Sequence, residues 1–92
     1  MRTWEIFEHR DVIKAVSKLP PWIVKEYEKW KELIRHHGPN ILHKYPGYHD
    51  ESLKGERKGQ RSSRLSQKYR VIYSLNQEEV LIWIFELSAH RY

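Results

Sequence analysis

The sequence predicts a small α+β domain of the order β-α-α-β-β-β, in which an αα-hairpin packs on one face of a twisted, largely antiparallel β-sheet. Three features predict it: a short aromatic, partly β-branched segment near the start, two stretches with apolar residues at helical spacing, and three strand-like stretches near the end. The 92 residues, 39% hydrophobic and 32% charged, are enough for one domain, spanning residues 1–92, but not for two.

The first strand and the first helix are predicted within the first 20 residues. Trp4 to Glu8 has strand composition. Asp11 is a plausible N-cap for a helix that runs until Pro20, because Ser, Thr, Asp and Asn accept hydrogen bonds from a helix's first free N–H groups. Its apolar positions recur three or four residues apart, at Val12, Ile13, Val16 and Leu19.

The second helix has the clearest periodicity in the chain. It is predicted to begin at Pro21, since proline suits the first helical turn, and to stop at Gly38-Pro39. Its apolar stripe, which should face the sheet, comprises Ile23, Tyr27, Trp30 and Ile34.

The second half predicts a loop and three strands. The loop runs from Pro39 to Glu51, and the strands are Gln60 to Ser66, Tyr69 to Leu75 and Val80 to Leu87. The last is apolar on both faces, as expected of a central strand. The middle strand places Tyr69, Val71, Tyr73 and Leu75 on one face and Arg70, Ile72 and Ser74 on the other, which leaves an open, basic face opposite the helices.

The net charge of +5 is concentrated in one segment. Residues 53–70 contain seven Lys or Arg and a single Glu, a net charge of +6, so the rest of the chain carries −1. A local excess of this kind is typical of a surface that binds a polyanion such as RNA, DNA or an acidic protein, and a solvated hairpin is the plainer alternative.

Composition excludes several classes of protein. The longest apolar run, Val80 to Phe85, is far too short to span a membrane. The absence of cysteine excludes disulfides and thiolate chemistry, and with no apolar leader at the start the expected location is the cytoplasm. A metal site is a weak hypothesis raised by His36, His37, His43 and His49, whose spacing matches no known pattern. The four Trp residues are expected mainly in the core, and Trp22 is the candidate for a partner contact.

The strongest candidate functional set combines strand arginines with an acid before them and a His and a Tyr at the end. Strand-borne arginines bind phosphate bidentately and stabilise the charge of a pentavalent transition state. Metal-free RNA cleavage needs a base for the 2′-hydroxyl and an acid for the leaving 5′-oxygen, roles that suit Glu and His, while Tyr stacks on bases. The set is Glu51, Lys54, Arg61, Arg64, Arg70, His90 and Tyr92.

Two sequence blocks resemble those of a known family. Leu53-Lys54-Gly55 and the run from Arg64 to Tyr73 are similar to the Leu-Lys block and the Arg-x-x-x-x-x-Tyr/His-Arg-φ-φ-Tyr hairpin (φ, apolar) of the RelE/ParE superfamily of bacterial toxins. The spacing matches without gaps, and the resemblance, which covers nearly the whole chain, is to the RelE and YoeB type of messenger-RNA endonuclease.

The resemblance implies a role for each site residue. Glu51 stands at the catalytic glutamate of the YoeB branch, where it acts as the base, and Arg64 and Arg70 stand at its two active-site arginines. His90 is then the acid and Tyr92 the aromatic group, although here Arg91 separates two residues that are adjacent in that branch. Other branches lack a glutamate base, which gives the alternative that His90 is the base and Glu51 orients it.

The implied reaction is a ribosome-dependent cleavage of messenger RNA in the A site. The 2′-oxygen attacks the adjacent phosphate, leaving a cyclic phosphate and a free 5′-hydroxyl, with neither metal nor cofactor. The implied partners are messenger RNA, the ribosome and a cognate antitoxin that is acidic and partly disordered. The residues expected to bind RNA are Lys54, Arg57, Lys58, Arg61, Lys68 and Arg91.

Two other functions remain open on the sequence. The ParE branch shares the fold but inhibits DNA gyrase by binding, and it generally lacks the acid, base and aromatic set, so Glu51, His90 and Tyr92 favour the nuclease. A non-catalytic RNA-binding module would also use a basic sheet with exposed aromatic residues.

Overall fold

Five strands and two α-helices make up the fold, which a computed structural model describes for residues 3–89. They are β1 (Glu5–Glu8), α1 (Arg10–Val16), α2 (Pro21–His37), β2 (Glu51–Ser52), β3 (Arg61–Arg64), β4 (Tyr69–Asn76) and β5 (Leu81–Ala89). The strand order is β1-β5-β4-β3-β2, in which β1 is parallel to β5 and all other neighbours are antiparallel. The predicted α+β class, with its largely antiparallel sheet, is confirmed. Among residues 3–89, no helix has the length and apolar character that crossing a membrane requires.

Helix α2 matches its prediction closely. Pro21 occupies the first turn, and the helix ends at Gly38, whose positive φ of 81° is readily adopted only by glycine. A Cβ atom at Gly38 would lie 2.9 Å from Nε1 of Trp4, so the helix end also requires glycine for space. The whole predicted stripe is buried and packs toward the sheet: Ile23, Tyr27, Trp30 and Ile34.

Helix α1 is shorter than predicted, and its N-cap was predicted wrongly. The cap is His9, whose Nδ1 accepts a hydrogen bond from the backbone N–H of Asp11 at 3.1 Å, so Asp11 lies inside the first turn. The helix ends at Val16, and the hydroxyl of Ser17 donates to the Lys14 carbonyl at 2.6 Å. A hydroxyl bound to a carbonyl one turn back competes with the helical bond, which explains the early end.

The core lies between the helices and one face of the sheet. Val12 of α1 and the α2 stripe pack with inward-facing residues of β4 and β5. Trp30 is at the centre, with its ring edge-on to Tyr73 at a centroid distance of 5.2 Å. Offset and edge-to-face aromatic pairs of this kind add to the energy of burial. The buried sheet residues in this cluster include Val71, Tyr73, Ile82, Ile84 and Leu87.

The predicted loop from Pro39 to Glu51 contains regular structure. Two 3₁₀ helices, Pro39–Lys44 and Pro46–Tyr48, carry the chain to the far edge of the sheet. There β2 pairs with β3, and Leu53 N–H adds a hydrogen bond to the Gln60 carbonyl at 2.9 Å. The prediction of four strands was therefore one short, because a two-residue strand is too brief to show any alternation.

Strand β5 differs from the prediction that both its faces are buried. Ile82, Ile84 and Leu87 face the core, but Trp83 and Phe85 are exposed, with Trp83 retaining 45% of its accessible surface. Between the pairs Ile72–Glu86 and Tyr73–Ile84 the ladder contains a β-bulge, in which Phe85 is the extra residue. The bulge explains why residues 84 and 87, three apart, both point inward.

Candidate active site

The face of the sheet opposite the helices gathers the predicted catalytic residues that the structure describes. Residues paired across neighbouring strands share a face, as do residues two apart on one strand. Arg64 is paired with Arg70, and Arg70 with Ser88. Two residues along, the ladder forms a second row on the same face: Glu51, Ser62, Ile72 and Glu86.

Arg64 and Arg70 form an unusual cross-strand pair. Directly opposite positions place Cβ atoms about 5 Å apart, where two like charges destabilise a sheet. Neither guanidinium has an ion-pair partner among residues 3–89, and the buried Nε of Arg70 has no hydrogen-bond acceptor there. Two adjacent guanidinium groups with free donors are suited to an anion with several oxygens, such as a phosphate.

Glu51 lies beside this pair, on the sheet edge. It is exposed on β2 and paired with Ser62, two residues from Arg64, a diagonal relation that places the two residues roughly 7–8 Å apart. Within the described part of the chain its carboxylate forms no ion pair. The carboxylate is therefore available to accept a proton from a group bound at the arginines.

Asp50, which sequence reasoning missed, anchors the strand that carries Glu51. Its nearly buried carboxylate accepts hydrogen bonds from Arg61 Nε at 3.0 Å, Arg61 Nη2 at 2.8 Å and Ser63 Oγ at 2.7 Å, and from the Tyr73 hydroxyl. These donors belong to β3 and β4, so the cluster joins three neighbouring strands. An Asp at the end of a loop carries no sequence signal for such a role.

The Asp50 cluster also shifts the pKa values of its partners. Burial raises the pKa of Tyr73, and the charge and hydrogen bond of Asp50 raise it further, so this phenol stays protonated. Burial lowers the pKa of Arg61, but the hydrogen bond and charge of Asp50 outweigh it and the net shift is upward. Because Arg61 Nη1 also donates to Ser52 Oγ at 2.8 Å, this predicted RNA ligand is engaged in holding the fold.

The other predicted RNA-binding residues lie at both ends of β3. Lys54, Arg57 and Lys58 are exposed around a 3₁₀ turn, Gly55–Arg57, that precedes the strand, and Lys68 follows it with its Nζ 5.7 Å from the Tyr69 ring centre. Arg57 forms an ion pair with Glu86 at 3.4 Å. Glu86 is a second residue that sequence reasoning missed, since an isolated Glu in a strand gives no signal.

The outer face is less open than predicted. Ile72, expected to be exposed there, is completely buried, and Ser62 beside it is almost so. Glu86 is paired with Ile72 on the neighbouring strand and forms an ion pair with Arg57 from the turn before β3. This ion pair lies at the end of the row that Glu51, Ser62 and Ile72 begin. Past the bulge the face is aromatic, with Phe7 and Trp83 in contact at a centroid distance of 5.3 Å.

Three predicted site residues, His90, Arg91 and Tyr92, lie outside the described residues, which end at Ala89 in β5. The histidines raised as metal ligands do not come together: in residues 3–89 no three His, Asp or Glu side chains form a group that could hold a metal ion. His36 instead contacts Glu32 at 3.0 Å on the outside of α2.

Solved toxin structures share this fold. No family model and no curated protein sequence matches the chain. An archaeal RelE–RelB complex from Pyrococcus horikoshii OT3 is similar with a TM-score of 0.75 and 25% identity, over 95% of this chain and 94% of that one. YafQ from E. coli strain BL21(DE3) gives a TM-score of 0.75 at 15% identity, over 95% and 93% of the two chains.

A third toxin structure extends the likeness to the YoeB branch. The YoeB–YefM complex from Staphylococcus aureus matches with a TM-score of 0.73 at 18% identity, covering 96% of this chain and 98% of that one. Each of the three similarities extends over at least 95% of this chain. The resemblance seen in the sequence is thus confirmed, and the chain has the fold of the RelE/ParE superfamily of toxins.

Proposed function

We propose that this protein is the toxin of a toxin–antitoxin pair and acts in the cytoplasm as an endoribonuclease that cleaves messenger RNA in the ribosomal A site. The observation that carries the proposal is the Arg64–Arg70 pair, two like charges placed side by side with the carboxylate of Glu51 at a diagonal position; none of the three has an ion-pair partner among residues 3–89. Stability alone disfavours such a pair, and a bound phosphate compensates it.

The reaction follows from these groups. Glu51 takes the proton of the 2′-hydroxyl, and the 2′-oxygen attacks the adjacent phosphorus. Arg64 and Arg70 bind the phosphoryl oxygens, whose negative charge grows in the pentavalent transition state. His90 donates a proton to the departing 5′-oxygen, which yields a 2′,3′-cyclic phosphate and a free 5′-hydroxyl. Base, acid and charge stabilisation all come from the side chains.

The basic residues around β3 supply the rest of the RNA contact. Lys68 is exposed on the turn next to the arginine pair, and Lys54 and Lys58 are exposed at the other end of β3. None of the three forms an ion pair with residues 3–89. Contacts of this type release counterions, so affinity for RNA should fall steeply with salt. Tyr92 and Arg91 are assigned to this surface by the family resemblance.

An acidic antitoxin is the proposed protein partner. Two of the similar structures are complexes with proteins named RelB and YefM. The basic hairpin of this chain favours a partner of opposite charge, which would neutralise the arginine pair.

The function is tested by inducing the chain alone in a bacterial host and mapping RNA 5′ ends. Wild type should arrest growth and create 5′-hydroxyl ends within translated frames, and Arg70→Ala should abolish both. Arg10→Ala, which removes an exposed arginine of α1, is the matched control and should behave as wild type. Arrest without new ends would indicate gyrase inhibition, and no arrest would indicate a non-catalytic RNA-binding module.

The proton roles need a separate experiment. The pH dependence of cleavage should lose its acidic limb in Glu51→Gln, because a base must be deprotonated to act, and its alkaline limb in His90→Gln. The opposite pattern would make His90 the base and Glu51 the orienting group.

A further inference from the structure

A cleft of about 410 Å³ is lined in part by Arg64. Its walls come from the middle of α2, the 3₁₀ turn Pro46–Tyr48 and the end of β3. Its polar and aromatic lining residues are Glu26, Lys29, Lys44, Tyr45, Tyr48 and Arg64. Arg64 lines this cleft and also belongs to the proposed phosphate site, so the two sites share one residue.

The charges lining the cleft suit a nucleotide. Lys29, Lys44 and Arg64 are cationic, and within the described chain none of the three has an ion-pair partner. Glu26 is the single acid in the lining, and it too is unpaired among those residues. Three cations attract a phosphate, while one carboxylate offers two acceptor oxygens to N–H groups.

The aromatic lining offers a stacking surface. Tyr45 retains 43% of its accessible surface, and its ring lies against the buried Tyr48 ring at a centroid distance of 6.1 Å and an angle of 60°. Tyr45 is thus packed against a buried ring while a large part of its own surface stays exposed. Nucleobases of single-stranded RNA stack on exposed aromatic rings in this way.

We propose that this cleft binds a nucleotide that flanks the scissile phosphate, with its base stacked on Tyr45 and its Watson–Crick edge bound by Glu26. Guanine fits best, because it presents two N–H donors side by side to a carboxylate, whereas the other bases present a single donor group. The inference rests on the proposed nuclease function and deepens it by assigning the residues that select sequence.

The lining favours RNA over a segment of the antitoxin. An acidic peptide would be attracted by the lysines but repelled by Glu26, and its carboxylates would not stack on the exposed aromatic ring. A nucleotide uses all three features: phosphate at the cations, base on the ring, and base edge at the carboxylate.

The test measures cleavage on ribosomes programmed with messenger RNAs that carry each of the four bases at the positions flanking the cut. Wild type should prefer guanine at one of these positions, and Glu26→Gln should reduce that preference by about 10-fold. Tyr45→Leu should raise the KM by about 10-fold for every RNA alike, because stacking is insensitive to sequence, and it should leave kcat unchanged.

Two matched variants control for charge and for loss of an aromatic ring. Glu78→Gln removes one exposed negative charge from the β4–β5 turn, and Phe7→Leu removes a ring that is 41% exposed and outside the cleft. Both should keep the wild-type preference and KM. The substitutions at Glu26 and Tyr45 lie at the surface of the cleft, and thermal melts of all four variants verify that each one folds.

The outcomes separate the inference from the function on which it rests. If Glu26→Gln keeps the guanine preference, or Tyr45→Leu keeps the wild-type KM, the cleft inference is wrong while the nuclease stands. If Tyr45→Leu weakens only antitoxin binding, the cleft belongs to the protein partner and the inference is overturned. If wild type cleaves no RNA, both the proposed function and this inference are wrong.

Discussion

Replacing Asp50 with alanine should strongly destabilise the protein, although Asp50 is neither in the apolar core nor in the proposed chemistry. Its side chain is 3% exposed and accepts hydrogen bonds from Arg61, Ser63 and Tyr73. Asp50→Ala removes the acceptor for all of them at once and leaves the Arg61 guanidinium without its counter-ion. These donors lie on β3 and β4, two of the central strands, so losing their acceptor should destabilise the whole sheet.

The magnitude follows from the burial of the pair. Removing one partner of a buried ion pair costs about 3–5 kcal/mol, because the other charge stays desolvated. The Arg61 side chain is 24% exposed, so water recovers part of this loss and the lower end, about 3 kcal/mol, is expected. In a domain of this size that corresponds to a fall in Tm of roughly 12–24 °C.

Urea denaturation followed by tryptophan fluorescence measures the effect. The control is Arg57→Ala, which breaks an ion pair with Glu86 whose side chains are 45% and 37% exposed. Pairs so exposed contribute less than about 1 kcal/mol. A loss below 1 kcal/mol in Asp50→Ala, or equal losses in the two variants, would refute the claim that the Asp50 cluster holds the sheet edge.

Three further substitutions test the core, the phenol and the arginine pair. Trp30→Ala should lower the free energy of unfolding by about 3–5 kcal/mol, and Trp83→Thr by at most about half of that, since the Trp30 ring is fully buried and the Trp83 ring is nearly half exposed. Denaturation curves of the two variants measure the difference. The raised pKa of Tyr73 contributes stability that is complete below about pH 10 and lost as pH rises above it, so the fall in Tm between pH 9 and 11 should be shallower in Tyr73→Phe. Arg64→Gln should abolish cleavage yet raise the unfolding free energy by about 0.2–1 kcal/mol, because it removes repulsion from Arg70; a lower Tm than wild type would contradict that account of the pair.

Strong local periodicity made most of the fold predictable. The stripe on α2 and the alternation in β4 each run long enough for one face to be identified. The α2 stripe is fully buried, and on the predicted inner face of β4 Val71 and Tyr73 are fully buried while Tyr69 and Leu75 are partly buried. The arginine pair was also predictable, because a fixed spacing across a short turn determines which residues oppose each other.

The features that escaped prediction depend on contacts between residues distant in sequence. Asp50 accepts hydrogen bonds from residues 11 to 23 positions away, and the sequence around Asp50 does not indicate these contacts. Glu86 acquires its partner Arg57 from 29 residues away. The exposure of Trp83 was missed because an apolar run has no period from which to judge that one of its faces lacks a covering layer.

The bulge in β5 has a consequence for comparing this chain with others. Before Phe85 the even-numbered residues of β5 face the core, whereas after it Leu87 does and Glu86 and Ser88 do not. One additional residue therefore reverses which positions belong to the arginine-bearing face. Deleting Phe85 would return the strand to a regular ladder, in which Leu87 still faces the core and Glu86 and Ser88 still face outward. Residues beyond this point should be aligned with a chain of the same fold by counting from the bulge, since an ungapped alignment with a chain that lacks the bulge would match inward positions with outward ones.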